Sequence, residues 1–170
     1  IGNAGNVDNF SDILALLILQ NGGDPAKPDT QYVRDALTFY TNFVKVDRVW
    51  SDRLANSTVA FAKGDVAMIL VPSWRIHDVK NLNPALDFGV APVPQLDSSE
   101  PVTWATYWVE GVSNKSKNKE AAWKFLKHMS SPEILKRFYA SASDIRSFGE
   151  IYPRQDMAAE LEGDQLVAAY

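Results

Sequence analysis

The chain has 170 residues, 46% of them hydrophobic and 22% charged, with a formal net charge of −4. That length and balance suit one domain with a real core and exclude disorder of the bulk. The acidic charge supplies no global field for nucleic acid or anionic lipid, and the absence of cysteine excludes disulfides, thiolate metal sites and a cysteine nucleophile.

In chain order, Asn9 or Ser11 can cap a first helix, whose inner face is Phe10, Ile13, Leu14, Leu17 and Ile18 and which Gly22-Gly23 ends. Asp24 to Thr30 is a loop with two prolines. Asp29 or Thr30 caps a second helix with the stripe Val33, Ala36, Leu37, Tyr40 and Val44. A short helix is expected from about Asn56 to Lys63, closed by Gly64. Asp65 to Val71 is apolar at both parities, the pattern of a strand covered on both faces. Ser73 is a candidate cap for a helix over Trp74 to Lys80. Leu86 to Pro94 is a second expected strand, with prolines that place its end at a sheet edge. Asn118, followed by Glu120, starts the clearest helix, with Ala122, Phe125, Leu126 and Met129 inward and Glu120 four residues before Lys124. Ser131-Pro132-Glu133 opens another, lined by Leu135, Phe138, Tyr139 and Ala142. Ser143 to Arg154 is loop-like, and a last helix begins near Asp156. Residues 1–170 are therefore expected to form one α/β domain, rich in helix around a small sheet.

No apolar run reaches bilayer length; the longest, Ile13 to Leu19, is far too short. The start, Ile-Gly-Asn-Ala-Gly, has no initiator Met and no signal-peptide pattern. Gln165 to Tyr170 reads as the middle of a helix. The chain is expected to be a piece of something longer.

Catalytic templates are missing. His77 and His128 share no metal-ligand spacing, and no HExxH, GxSxG, Walker A or GxGxxG occurs. His77-Asp78 fits a surface helix end better than half of a catalytic pair. No carboxylate pair stands out as a glycosidase acid and base. Lys115, Lys117, Lys119, Lys124 and Lys127 lie on the wet side of the expected helix, without interleaved arginine, so they suit a solvated face rather than a nucleic-acid patch. No catalytic residue, metal or cofactor is expected.

Aromatic residues carry the positive signal: five Trp and six Tyr. In "PVTWATYWVEGVS", residues 101 to 113, an extended chain would turn Trp104, Thr106, Trp108 and Glu110 to one side. Its two indoles would stand roughly 13 Å apart. Rings beside hydroxyl and carboxylate groups suit a ligand with apolar faces and a polar rim, as sugars have. They also suit a core, and both possibilities stand at this level. Trp74 follows Pro72-Ser73 at the carboxyl end of the first expected strand, where ligands of open α/β sheets sit. There it is either a ligand platform or a staple on its helix.

Four stretches in order, "AFAKGDVAMILVPSW", "LDFGVAPVPQL", "GVSNKSKNKEAAWKFLKHMSSPE" and "IYPRQDM", resemble the C-terminal lobe of extracellular solute-binding proteins of ABC importers, in the branch that binds sugars and oligosaccharides. "NFSDILALLILQNGG" fits the same family. The resemblance implies one half of a periplasmic-binding-protein-like, two-lobed clamp, with the N-terminal lobe missing here. It implies a non-catalytic role: capturing a solute and presenting it to membrane permease subunits, outside the cell or in the periplasm, with a membrane anchor on the whole protein. It makes Trp74 a sugar-stacking ring, with Arg75 beside it, and places Tyr107, Trp108 and neighbouring Trp104, Thr106 and Glu110 along the cleft. Where the family often has Gly-Gly and then an aromatic, this chain has Thr106-Tyr107 and Trp108. Pro153-Arg154 matches a family turn. An amino acid, peptide or polyamine held by a charged anchor such as Glu110 or Arg75 is the alternative, with a glycan hydrolase behind it.

Overall fold

The computed structural model describes all 170 residues. Six α-helices and one 3-10 helix make up 42% of the chain, and there is no strand. The helices are α1 (Phe10–Gln20), α2 (Gln31–Lys45), α3 (Ser57–Lys63), α4 (Arg75–Leu82), α5 (Lys119–Met129) and α6 (Pro132–Ser143); the 3-10 helix covers Gln155–Leu161.

Local chemistry explains some of the helix ends. Asn56 accepts a hydrogen bond from the Thr58 amide and opens α3, and Gly64, at φ 81°, closes it in the left-handed conformation that glycine adopts without a Cβ clash. Pro132 stands in the first turn of α6. Glu120 and Lys124 pair at 2.9 Å along α5, both exposed, a contact worth a few tenths of a kcal/mol. Thr30 and Asn118 hold cap positions without a side-chain cap bond. The helix expected from Trp74 begins one residue later, with Trp74 itself at the cap position.

The expected α/β architecture is wrong: the chain has no sheet. A strand exists through its ladder, and neither apolar stretch finds a partner strand. In Asp65–Val71, only Val66 and Leu70 pack on the core cluster, while Met68 is 86% exposed, so the run is not covered on both faces. Leu86–Pro94 is held by side chains instead. Phe88 meets Phe61 edge-on at 5.7 Å, and the Lys80 ammonium lies 4.7 Å from the Phe88 ring centre while donating to the Leu86 carbonyl. Residues 103–112, which the alternation argument treats as extended, likewise belong to no strand.

Contacts divide the chain into two compact units, Ile1–Ala105 and Thr106–Tyr170. In the first, α1 packs on α2 and α3 on α4. Its core is Val7, Ile13, Tyr40, Trp50 and Ala60, extended between α1 and α2 by Ile18, Val33 and Ala36. Polar stitches tie the N-terminal segment to this core: the Trp50 indole donates to Asn6 at 2.9 Å and the Tyr40 hydroxyl to the Asn3 carbonyl at 2.7 Å. Of the expected stripes, Leu14, Leu17 and Val44 are partly buried, and Phe10 and Leu37 are exposed.

In the second unit, α5 packs on α6, but neither helix contains a buried residue. The expected inner faces are therefore only half sheltered, with Phe125 and Phe138 exposed. Its buried residues are Phe148, Gly149, Met157 and Val167, all after α6. Tyr139 of α6 leans on Tyr152, with ring centres 5.3 Å apart, and its hydroxyl donates to the Asp164 carboxylate at 3.1 Å. Burial, and then that hydrogen bond and the Asp164 charge, push the Tyr139 phenol up to about 12. Because the folded value is raised, its stabilisation is whole below the ordinary tyrosine value near 10 and fades as pH climbs toward 12. A phenolate absorbance titration is expected to show a late phase, shared with the raised phenols of Tyr40, Tyr152 and Tyr170, whose latest part Tyr139→Phe removes. An unchanged late phase in Tyr139→Phe would refute the assignment.

Candidate functional site

The strongest polar cluster in the first unit centres on Asp8, just before α1. Asn9, at φ 55°, takes the left-handed conformation that Asn tolerates better than most residues. The Asp8 side chain is 11% exposed. One carboxylate oxygen accepts from the Asn56 amide at 2.7 Å and from the Arg75 guanidinium at 3.5 Å. The other accepts from the Thr58 amide at 3.3 Å, the Thr58 hydroxyl, and the Ser57 hydroxyl at 3.4 Å. The Asp8 amide in turn donates to the Ser57 hydroxyl at 2.9 Å. Burial pushes the Asp8 carboxyl up, but the bonds from Asn56 and Thr58 and the Arg75 charge outweigh it, and the carboxyl sits below its ordinary value. It therefore stays ionised at neutral pH.

Arg75, the first residue of α4, also donates to Asp78 at 2.8 Å, one helical turn on. Its Nε is buried without a partner. Asp8, Asn56, Thr58, Arg75, Asp78 and Asn81 supply the polar lining of an open cleft of about 470 Å³, with Val59 and Leu82 as its apolar lining. Donors and acceptors thus face one space, with both charge signs present.

Trp74, adjacent to Arg75, is 43% exposed. Trp104 is 41% exposed, and its indole donates to Asp12, in the first turn of α1, at 3.1 Å. The short segment Asp8–Asp12 therefore carries both attachments: Arg75 with neighbouring Trp74 through Asp8, and Trp104 through Asp12. Thr106, Tyr107, Trp108 and Glu110 fall in the second unit, and all four are exposed. Trp108, 96% exposed, is not a core ring there. Glu110, lying in water, needs no buried partner.

Asp8, Asn56, Thr58 and Asn81 are absent from the site that the sequence suggests. Asn56 is visible only as the start of a helix. Nothing local marks Asp8, whose partners stand 48 to 67 residues away. Asp78 is engaged by Arg75. No group of three or more His, Asp or Glu is placed to hold a metal ion. No helix is long and apolar enough to cross a membrane.

The cleft can seat a small hydrogen-bonding molecule. The family model described as bacterial extracellular solute-binding protein matches residues 3–160. Comparison with curated proteins and with solved structures gave no match.

Proposed function

The chain belongs to the bacterial extracellular solute-binding proteins, and we propose that within this family it captures a carbohydrate and delivers it to the permease of an ABC importer. The family supports a substrate-binding role in transport with a small-molecule ligand, and its members are generally non-catalytic. The sugar, the permease, a membrane anchor on the whole protein and the identity of residues 1–170 as one lobe of a clamp are our proposal.

One observation carries it. Trp74, a half-exposed indole, immediately precedes Arg75, which lines a cleft where six residues with hydrogen-bonding side chains meet the apolar Val59 and Leu82. Sugar rings have apolar C–H faces for the indole and hydroxyls that demand directed partners. Arg75 is the hydrogen-bonding neighbour in this proposal and Trp104 the second platform. Tyr107, Trp108, Thr106 and Glu110, all exposed in the second unit, are proposed as further ligand-binding residues. The expected result is that calorimetry with a panel of neutral oligosaccharides finds a ligand, and that Trp74→Ala and Trp108→Ala each weaken its binding tenfold or more. Unchanged affinity in both variants overturns the site.

A further inference from the structure

Charge is distributed unevenly within the second unit. Residues 113–129 contain five lysines and one acidic residue, Glu120, whereas residues 130–170 contain four basic and seven acidic residues. A local charge of +4 therefore stands on a chain whose total is −4. Glu120 is already paired with Lys124 at 2.9 Å. Lys115, Lys117, Lys119 and Lys127 are all exposed, and no carboxylate pairs with any of them. Lys119 donates to the Asn114 side-chain oxygen at 2.8 Å, a neutral acceptor that leaves its charge uncompensated.

Folding does not account for most of this placement. Lys127, in the last turn of α5, suits the helix dipole. Lys119 does not: it is the first residue of α5, at the positive end, where a cation weakens a helix. Lys115 and Lys117 stand just ahead of the same end. Their mutual repulsion is not offset by burial, since α5 contains no buried residue.

Trp123 is the second observation. It is 58% exposed. It stands four residues after Lys119 and four before Lys127, so the three side chains form one line along α5. An exposed indole flanked by cations has the chemistry of a bilayer interface. The ring enters the headgroup layer, its N–H bonds there, and the ammonium groups meet lipid phosphates. We propose that Lys115, Lys117, Lys119 and Lys127, together with Trp123, form a contact surface for an anionic lipid bilayer. The family serves transport outside the cell, so a membrane face belongs to its surroundings. The acidic first unit and the acidic residues 130–170 are repelled by the same lipid, which confines contact to this patch. One ring and four exposed charges give weak, reversible and salt-sensitive binding. The contact is independent of which solute the cleft takes.

Vesicle flotation tests it. Vesicles of phosphatidylcholine containing about 30% phosphatidylglycerol are compared with vesicles of phosphatidylcholine alone. The expected result is binding to the anionic vesicles only, lost as salt is raised. Lys117→Gln with Lys119→Gln should weaken that binding at least fivefold, and so should Trp123→Ala. Lys45→Gln with Lys63→Gln is the control. It removes the same charge from exposed lysines of α2 and α3, and it should stay within twofold of the unaltered protein. Circular dichroism on each variant reports folding, and these exposed positions are expected to leave it unchanged. Equal binding to both vesicle types overturns the proposal, as does an equal loss in the control, or no binding to the anionic vesicles. A protein that ignores these vesicles but is retained by polyglutamate has an acidic polypeptide as its partner, and the lipid proposal falls.

Discussion

Asp8→Ala is expected to destabilise the first unit by about 3 kcal/mol. Its carboxylate is the shared acceptor for the start of α3 and for Arg75 at the start of α4. Removing it leaves the Thr58 amide, the Thr58 hydroxyl and the Asn56 amide without that acceptor, all around a side chain that is mostly out of water. Arg75 keeps Asp78 and is about one-third exposed, so solvent screens its share of the loss. Most of the effect therefore belongs to the neutral donors. Urea denaturation at neutral pH, followed by circular dichroism, measures it; a loss below about 1 kcal/mol contradicts the central role given to this carboxylate. The pH dependence gives a second check. Because the folded carboxyl sits below the ordinary aspartate value, its stabilisation is present in full above about pH 4. It disappears as pH falls through the depressed folded value. Asp8→Asn should flatten that acid limb even where its stability at neutral pH is partly retained.

Gly149→Ala is expected to cost the second unit about 2–3 kcal/mol. A Cβ added there would lie 2.5 Å from both the Cα and the carbonyl oxygen of Tyr139. These are backbone atoms, so no side-chain rotation relieves the clash, and α6 or the turn after it has to shift. That shift also disturbs Tyr139, whose hydroxyl is tied to Asp164. For a unit of this size, a fall in Tm on the order of 10 °C follows. Gly163→Ala is the control, because a Cβ at Gly163 meets nothing within 4 Å. Calorimetric scans of the two variants should separate clearly; equal Tm values remove the close approach as an explanation.

The helices were legible because their signals are local. Asn56, Gly64 and Pro132 act within a turn of their own positions, and Val33, Ala36 and Tyr40 repeat at helical spacing. The sheet was misread because apolar composition alone does not make a ladder. "DVAMILV" has the content of a buried strand, yet pairing depends on a second chain segment that the pattern cannot supply. Trp74 stands out in the sequence by its place after Pro72-Ser73, and the structure leaves it 43% exposed. Asp8 does not stand out, because its meaning comes from Asn56, Thr58 and Arg75, all distant in sequence. Exposure, too, was invisible in the letters: Trp108 and Trp50 are the same residue type, one nearly bare and the other buried on Asn6.

The span of the Asp8 bonds has a kinetic consequence. Closing loops of 48 and 67 residues is slow compared with winding α1 or α2, since the chain has to bring distant ends together before any contact rewards it. The Asp8 cluster is thus among the later features of the first unit to assemble. A nascent chain emerging through residue 60 already has its α1–α2 interior but still lacks the arginine that completes the polar floor.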